Sequence, residues 1–255
     1  MCILARSFIL SLVLLIAACG GSDDDPKSPN AESNKPEIFE AEGSAVISGK
    51  AFYKGLAPRP MKLQMTMDQW CNEGHEAIDE RLLVNGDGGL KNVLVYLEAV
   101  EGKIPRAPTP AQSIELIQEG CRYIPHVLTL QIDQQFKVTN RDDTSHNFHF
   151  IGKRNDDINF NQVRPGTDEL SFEYAEVNAR VQCDMHPWMK AELHIFDHPY
   201  FAVTDESGSF KISKIPAGEY FLRLHHESSV ATKKDLKITL SSGASIDIGK
   251  LYFQR

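Results

Sequence analysis

Three ligand-type side chains in one short stretch constrain this chain more than any other feature: Cys183, His186 and Met189 in Val181-Gln182-Cys183-Asp184-Met185-His186-Pro187-Trp188-Met189. They follow one another at spacings of three, so one tight turn wraps all of them around a single ion. Pro187 restricts His186 to extended backbone and stiffens that turn. A thiolate, an imidazole and a thioether are most of a trigonal His₂Cys site with a weak axial Met, which suits copper, whereas zinc sites use Cys, His and carboxylate. A second imidazole is needed, and Ser145-His146-Asn147-Phe148-His149-Phe150 supplies it. His146 and His149 stand three apart, so on a strand they face opposite sides and only one of them reaches the metal.

Period-two alternation dominates the rest of the chain, and few stretches have helical periodicity, so the sequence predicts an all-β fold. Strand chemistry begins at Ala45 to Tyr53. Leu90 to Ala99 is apolar on both faces, as an interior strand requires. Glu101 to Gln112 carries three prolines among small polar residues and marks a boundary. Beyond it Leu128, Leu130 and Ile132 alternate, as do Phe136 and Val138, then Leu170, Phe172 and Tyr174. Val177, Ala179, Val181 and Cys183 keep one face, which points the thiol into the sheet interior. Ala191, Leu193 and Ile195 follow the loop as another strand.

The segment Asn140 to Phe196 resembles the amicyanin-type cupredoxins, small type 1 (blue) copper proteins. The likeness rests on Asn140-Arg141, His146-Asn147-Phe148-His149-Phe150 and the Cys183-x2-His186-Pro187-Trp188-Met189 loop with its short Cys-to-Met spacing. It implies a cupredoxin Greek-key β-sandwich over 112–198, with copper held by His146, Cys183, His186 and Met189. His149 is then a sheet or surface residue, and Met185 matches no ligand position. Asn147 is expected to hold the metal loop by hydrogen bonds, and Trp188 to line an apolar patch around the exposed edge of His186, where redox partners dock. Val203-Thr204-Asp205-Glu206-Ser207-Gly208-Ser209-Phe210 and Ile215-Pro216-Ala217-Gly218-Glu219-Tyr220 resemble the turns of carboxypeptidase regulatory-like, or transthyretin-like, β-sandwiches. Residues 199–255 are short for an independent core. Residues 44–100 therefore either form the first part of one regulatory-like sandwich completed by 199–255, with the cupredoxin inserted between them, or add strands to an enlarged cupredoxin.

Met1 to Ala18 has one basic residue, Arg6, before the apolar run Phe8 to Ala18, which is too short to span a bilayer and is built like a signal peptide. Ile16-Ala17-Ala18-Cys19 resembles a bacterial lipobox, implying a lipoprotein lipidated on Cys19; Gly20 after it resembles outer-membrane sorting. Residues 19–43 are a polar tether with almost nothing to bury. The protein is thus expected to be lipid-anchored in the bacterial cell envelope, facing the periplasm.

Of five cysteines, Cys2 leaves with the signal, Cys19 takes the lipid and Cys183 serves the metal. Cys71 and Cys121 remain. In an oxidising compartment they form a disulfide, worth about 4 kcal/mol by chain entropy, or they join His75 and His126 in a second metal site of zinc-like spacing. The formal net charge of −8 argues against nucleic acid as a partner and against a basic membrane-binding face. No pattern for phosphate binding or nucleophilic hydrolysis is present, so no enzymatic activity is expected. The expected function is single-electron transfer between periplasmic redox proteins such as a c-type cytochrome or a dehydrogenase. The second reading is a scaffold for protein or carbohydrate contact that merely binds copper.

Overall fold

The computed structural model describes residues 43–231 and 236–254. Residues 1–18, expected to be a signal peptide, Cys19 and all but the last residue of the expected tether lie outside the described residues. The described chain is all-β, as its alternation predicts. It runs β1 (Ala45–Tyr53), α1 (Gln69–Asn72), β2 (Leu94–Ala99), β3 (Ile114–Gln118), β4 (Tyr123–Ile124), β5 (Val127–Gln131), β6 (Phe136–Asn140), β7 (His146–Ile151), β8 (Ile158–Gln162) and β9 (Gly166–Leu170). It continues with β10 (Glu176–Gln182), β11 (Lys190–Phe196), β12 (Phe201–Val203), β13 (Ser209–Ile215), β14 (Gly218–His225), β15 (Val230–Ala231), β16 (Leu236–Leu240) and β17 (Ser245–Gln254).

Two sandwiches result. Sheets β5-β11-β10-β7-β8 and β4-β3-β6-β9 enclose a core of Leu116, Phe136, Val138, Phe148, Phe150, Val181 and Leu193. Sheets β13-β1-β17-β15 and β12-β2-β14-β16 enclose a second core that includes Ile47, Leu97, Tyr200, Ile212, Leu222 and Phe253. The second sandwich joins strands from both ends of the chain: β1 pairs parallel with β17, Val46 opposite Ser245, and β2 lies between β12 and β14. Gly208 closes the β12–β13 turn at φ 76°, where an added Cβ would lie 2.3 Å from the Ala51 carbonyl oxygen.

Three local expectations change. Residues 90–93 are not part of β2, because the Thr204 hydroxyl occupies their backbone, accepting from Val93 N–H and donating to Leu90 O. The alternation of Leu170, Phe172 and Tyr174 does not make a strand beyond Leu170. The Asn155 side chain accepts the N–H groups of Glu173 and Tyr174, replacing a ladder partner. Residues 61–79 lie within the stretch read as the start of the regulatory-like sandwich, yet Met65, Cys71 and Ala77 pack into the first core. This segment is a loop closed at its base by Leu63 N–H to Ala77 O and Asp79 N–H to Met61 O.

Candidate metal centre

The Cys183–Met189 turn joins β10 to β11 at one end of the first sandwich. Cys183 N–H donates to Met189 O at 3.2 Å and Met189 N–H to His186 O at 2.9 Å, so the loop closes on itself and turns its three ligand-type residues inward. All three are buried, whereas Met185 is 42% exposed and turned away. β7 delivers His146, fully buried, from the neighbouring strand of the same sheet.

The ring nitrogens converge. His146 Nδ1 lies 3.0 Å from His186 Nδ1, and Cys183 Sγ lies 3.7 Å from His186 Nδ1. Ligand atoms about 2.0–2.3 Å from one ion are at most about 4 Å apart, so these separations fit a single metal held by two nitrogens and a sulfur. Met189 is buried in the same core as Cys183. His149, on the opposite face of β7, pairs with Asp184 at 2.9 Å and does not join the cluster.

Each imidazole's outer nitrogen meets a carboxylate. His146 Nε2 donates to Asp142 Oδ2 at 2.8 Å, and His186 Nε2 lies 3.3 Å from Asp68 Oδ2. A carboxylate on the outer N–H fixes the tautomer and leaves the Nδ1 lone pair facing the centre. Burial opposes ionisation of both acids, but hydrogen bonds to the histidines and to backbone N–H groups outweigh it and hold both below the usual carboxylate range. Burial likewise opposes a charged His146, yet Asp142 and Cys183 raise its pKa. The Cys183 thiol is pushed up by burial, but the neighbouring His146 and His186 rings and the N–H groups of Asn147 and His186 bring it down to about 6. A thiolate at neutral pH is what a soft metal needs.

Asn147 ties the pieces together. Its N–H points at Cys183 Sγ at 3.4 Å, its Oδ1 accepts from Asp184 N–H at 3.1 Å, and its Nδ2 donates across to β8 at Phe160 O. Cys71 and Cys121 are bonded to each other, with Cα atoms 5.7 Å apart. His75 packs at a tilt against Trp70 and His126 pairs with Glu227, so neither forms a second site with those sulfurs.

Two features differ from expectation. The edge of His186 is not open: the residue is 2% exposed, because the loop 61–79 lies over it with Asp68 against Nε2. Trp188 stacks on His186 at 4.9 Å, but its Nε1 donates to Cys121 O rather than standing free. Neither Asp142 nor Asp68 is among the residues that the ligand pattern of the sequence picks out. Asp142 stands four residues before His146 and offered a local signal. Asp68 stands 118 residues from His186 and offered none.

A second cluster, Glu192, His194 and His225, lies where the sandwiches meet. Asn178 N–H donates to His194 Nδ1 at 3.0 Å, so the neutral ring carries its proton on Nε2, which is buried without a hydrogen bond, Glu192 Oε2 being 3.9 Å away. This nitrogen presents an N–H, not a lone pair, and the cluster does not suit a metal.

No protein-family model and no curated protein matches the chain. Several solved structures do. A copper-containing nitrite reductase (NirK) from Thermus scotoductus SA-01 is 17% identical with a TM-score of 0.32, the match covering 38% of this chain and 24% of that one. This chain therefore spans about a quarter of the reductase. A purple cupredoxin from Nitrosopumilus maritimus is 22% identical, TM-score 0.28, covering 32% of this chain and 97% of that one. Amicyanin from Paracoccus versutus is 17% identical, TM-score 0.30, with 39% and 97% covered.

Proposed function

We propose that the chain is a single-electron carrier whose centre is one type 1 copper ion. The observation that carries the reading is the convergence of two imidazole Nδ1 atoms and one free, low-pKa thiolate in a buried pocket. His146, Cys183 and His186 would hold the ion, with Met189 as a weak axial donor. Copper, when bound, supplies a reversible one-electron couple. The protein's own part is rigidity. Asp142 and Asp68 fix the rings, Asn147 ties β7 to the loop, and burial excludes water, so the donor set changes little between oxidation states. No bond in a substrate is made or broken, so the protein is proposed not to be an enzyme.

Electrons would be exchanged with redox proteins, for which a c-type cytochrome or a periplasmic dehydrogenase is the expected class. Trp188, half-buried and stacked on His186, is the side chain through which such a partner reaches the centre. A lipid on Cys19 would tether the carrier to the envelope membrane, and the outer membrane is the proposed site.

The test is voltammetry of the copper-loaded protein. One reversible wave, consuming one electron per chain and lost in Cys183→Ser, is expected. Stoichiometric copper binding without a reversible wave would instead favour a copper-binding scaffold.

A further inference from the structure

Residues 61–79 do more than fill space. Asp68 Oδ1 accepts from Cys71 N–H at 3.0 Å while its Oδ2 faces His186 Nε2 and receives the Thr144 hydroxyl at 3.2 Å. Cys71, bonded to Cys121, anchors the loop to the first sandwich. On the far side Cys121 N–H donates to Asp142, the acid that holds His146, and Cys121 O accepts from Trp188. The disulfide thus stands between the carboxylates that grip the two rings. Cys71 Sγ, an Asp68 oxygen and a His186 nitrogen all lie within 4.8 Å of one another, as do Cys121 Sγ, an Asp142 oxygen and a His146 nitrogen.

We infer that residues 61–79 are a disulfide-anchored cap in which Asp68 is a positioning residue for His186, holding its Nδ1 toward the metal and closing its outer edge to solvent and partners. The inference rests on the reading of the centre as a metal site. Without the cap, His186 would present Nε2 at the surface, since the loop 61–79 is what lies over that edge. Without Asp68, Nε2 would lose its carboxylate partner. Asp68→Asn is the discriminating change. An amide that keeps its oxygen on Cys71 N–H turns its NH₂ toward His186 Nε2, where a donor faces a donor.

The first experiment needs no copper. Metal-free protein is treated with diethyl pyrocarbonate, and each histidine is followed by peptide mass spectrometry. In the parent protein His186 should stay protected while His149, on the open face of β7, reacts. In Cys71→Ser/Cys121→Ser and in Asp68→Ala, which keeps the disulfide, His186 should react about tenfold faster, the size expected in Asp68→Ala for losing a hydrogen bond to a charged group. His186 reacting as fast as His149 in the parent, or staying protected in both variants, would overturn the cap. The second experiment measures the reduction potential of copper-loaded Asp68→Asn with the disulfide intact. It should rise, because removing a carboxylate beside a ligand ring disfavours the more positive ion. An unchanged potential would deny Asp68 its positioning role. Failure of the parent to bind copper would instead refute the metal reading and leave the modification result standing on its own.

Discussion

Asp142→Asn measures how far the centre depends on its outer carboxylates. Asp142 is 3% exposed and accepts three hydrogen bonds: Gly120 N–H on Oδ1 at 2.7 Å, and Cys121 N–H and His146 Nε2 on Oδ2, each at 2.8 Å. An asparagine has one acceptor oxygen. Turned one way it keeps Cys121 and His146 and sets an NH₂ against the Gly120 N–H; turned the other it keeps Gly120 and loses two bonds. The smaller loss removes one hydrogen bond to a charged acceptor, about 1.5–3 kcal/mol, or roughly 3–12 °C in melting temperature for a chain of this size. Copper affinity should fall about 10- to 100-fold, the usual effect of deleting a ligand's outer partner. Calorimetry of the metal-free protein and competition with a chelator would read the two effects. A variant that melts like the parent and binds copper as tightly would refute the claim that Asp142 organises the site.

Other outcomes follow from the same geometry. Burial, and then the charge of His225, holds His194 at about 3, and burial likewise holds His226 at about 4, against an unfolded value near 6.5. Both are therefore neutral in the folded protein, and between these values and about 6.5 the unfolded chain binds protons the folded one refuses. Their stability contribution is whole above about pH 6.5 and is lost as pH falls, down to about 4 for His226 and about 3 for His194. His194→Gln should lose less melting temperature between pH 7 and pH 5 than the parent; an equal loss would contradict the assignment. Met189→Leu should keep copper bound and coloured but raise the reduction potential, since losing an axial donor disfavours Cu(II). If Met185→Leu moved the potential and Met189→Leu did not, the loop would wrap the metal in another register. Cys19→Ser should move the protein from the membrane to the soluble fraction; retention on membranes would remove the lipid anchor from the account.

Much of the site was legible because its information is local. The spacing of Cys183, His186 and Met189, and the period-two run that turns Val181 and Cys183 inward, need only the loop and one strand. Val177 shows where that logic stops. Asn178 sits at φ 66°, and the register shifts between Glu176 and Ala179, so Val177 is only partly buried while Glu176 is 8% exposed. A bulge of this kind leaves little trace in an alternating pattern. The parallel pairing of β1 with β17 spans nearly the whole described chain and depends on topology, which periodicity does not encode. Cys71 and Cys121 were readable as a pair, but only the fold joins them to each other and leaves His75 and His126 with other partners. Asp68 reaches His186 through that same long-range closure, so the cover over the metal loop had no signature in the sequence.

A copper–thiolate bond at Cys183 is visible directly in the absorption spectrum of the copper-loaded, oxidised protein. One equivalent of Cu(II) should give an intense blue charge-transfer band that vanishes on one-electron reduction and never forms in Cys183→Ser, while His149→Ala keeps it. A parent protein that binds copper without that band, or a Cys183→Ser variant that retains it, would contradict the claim.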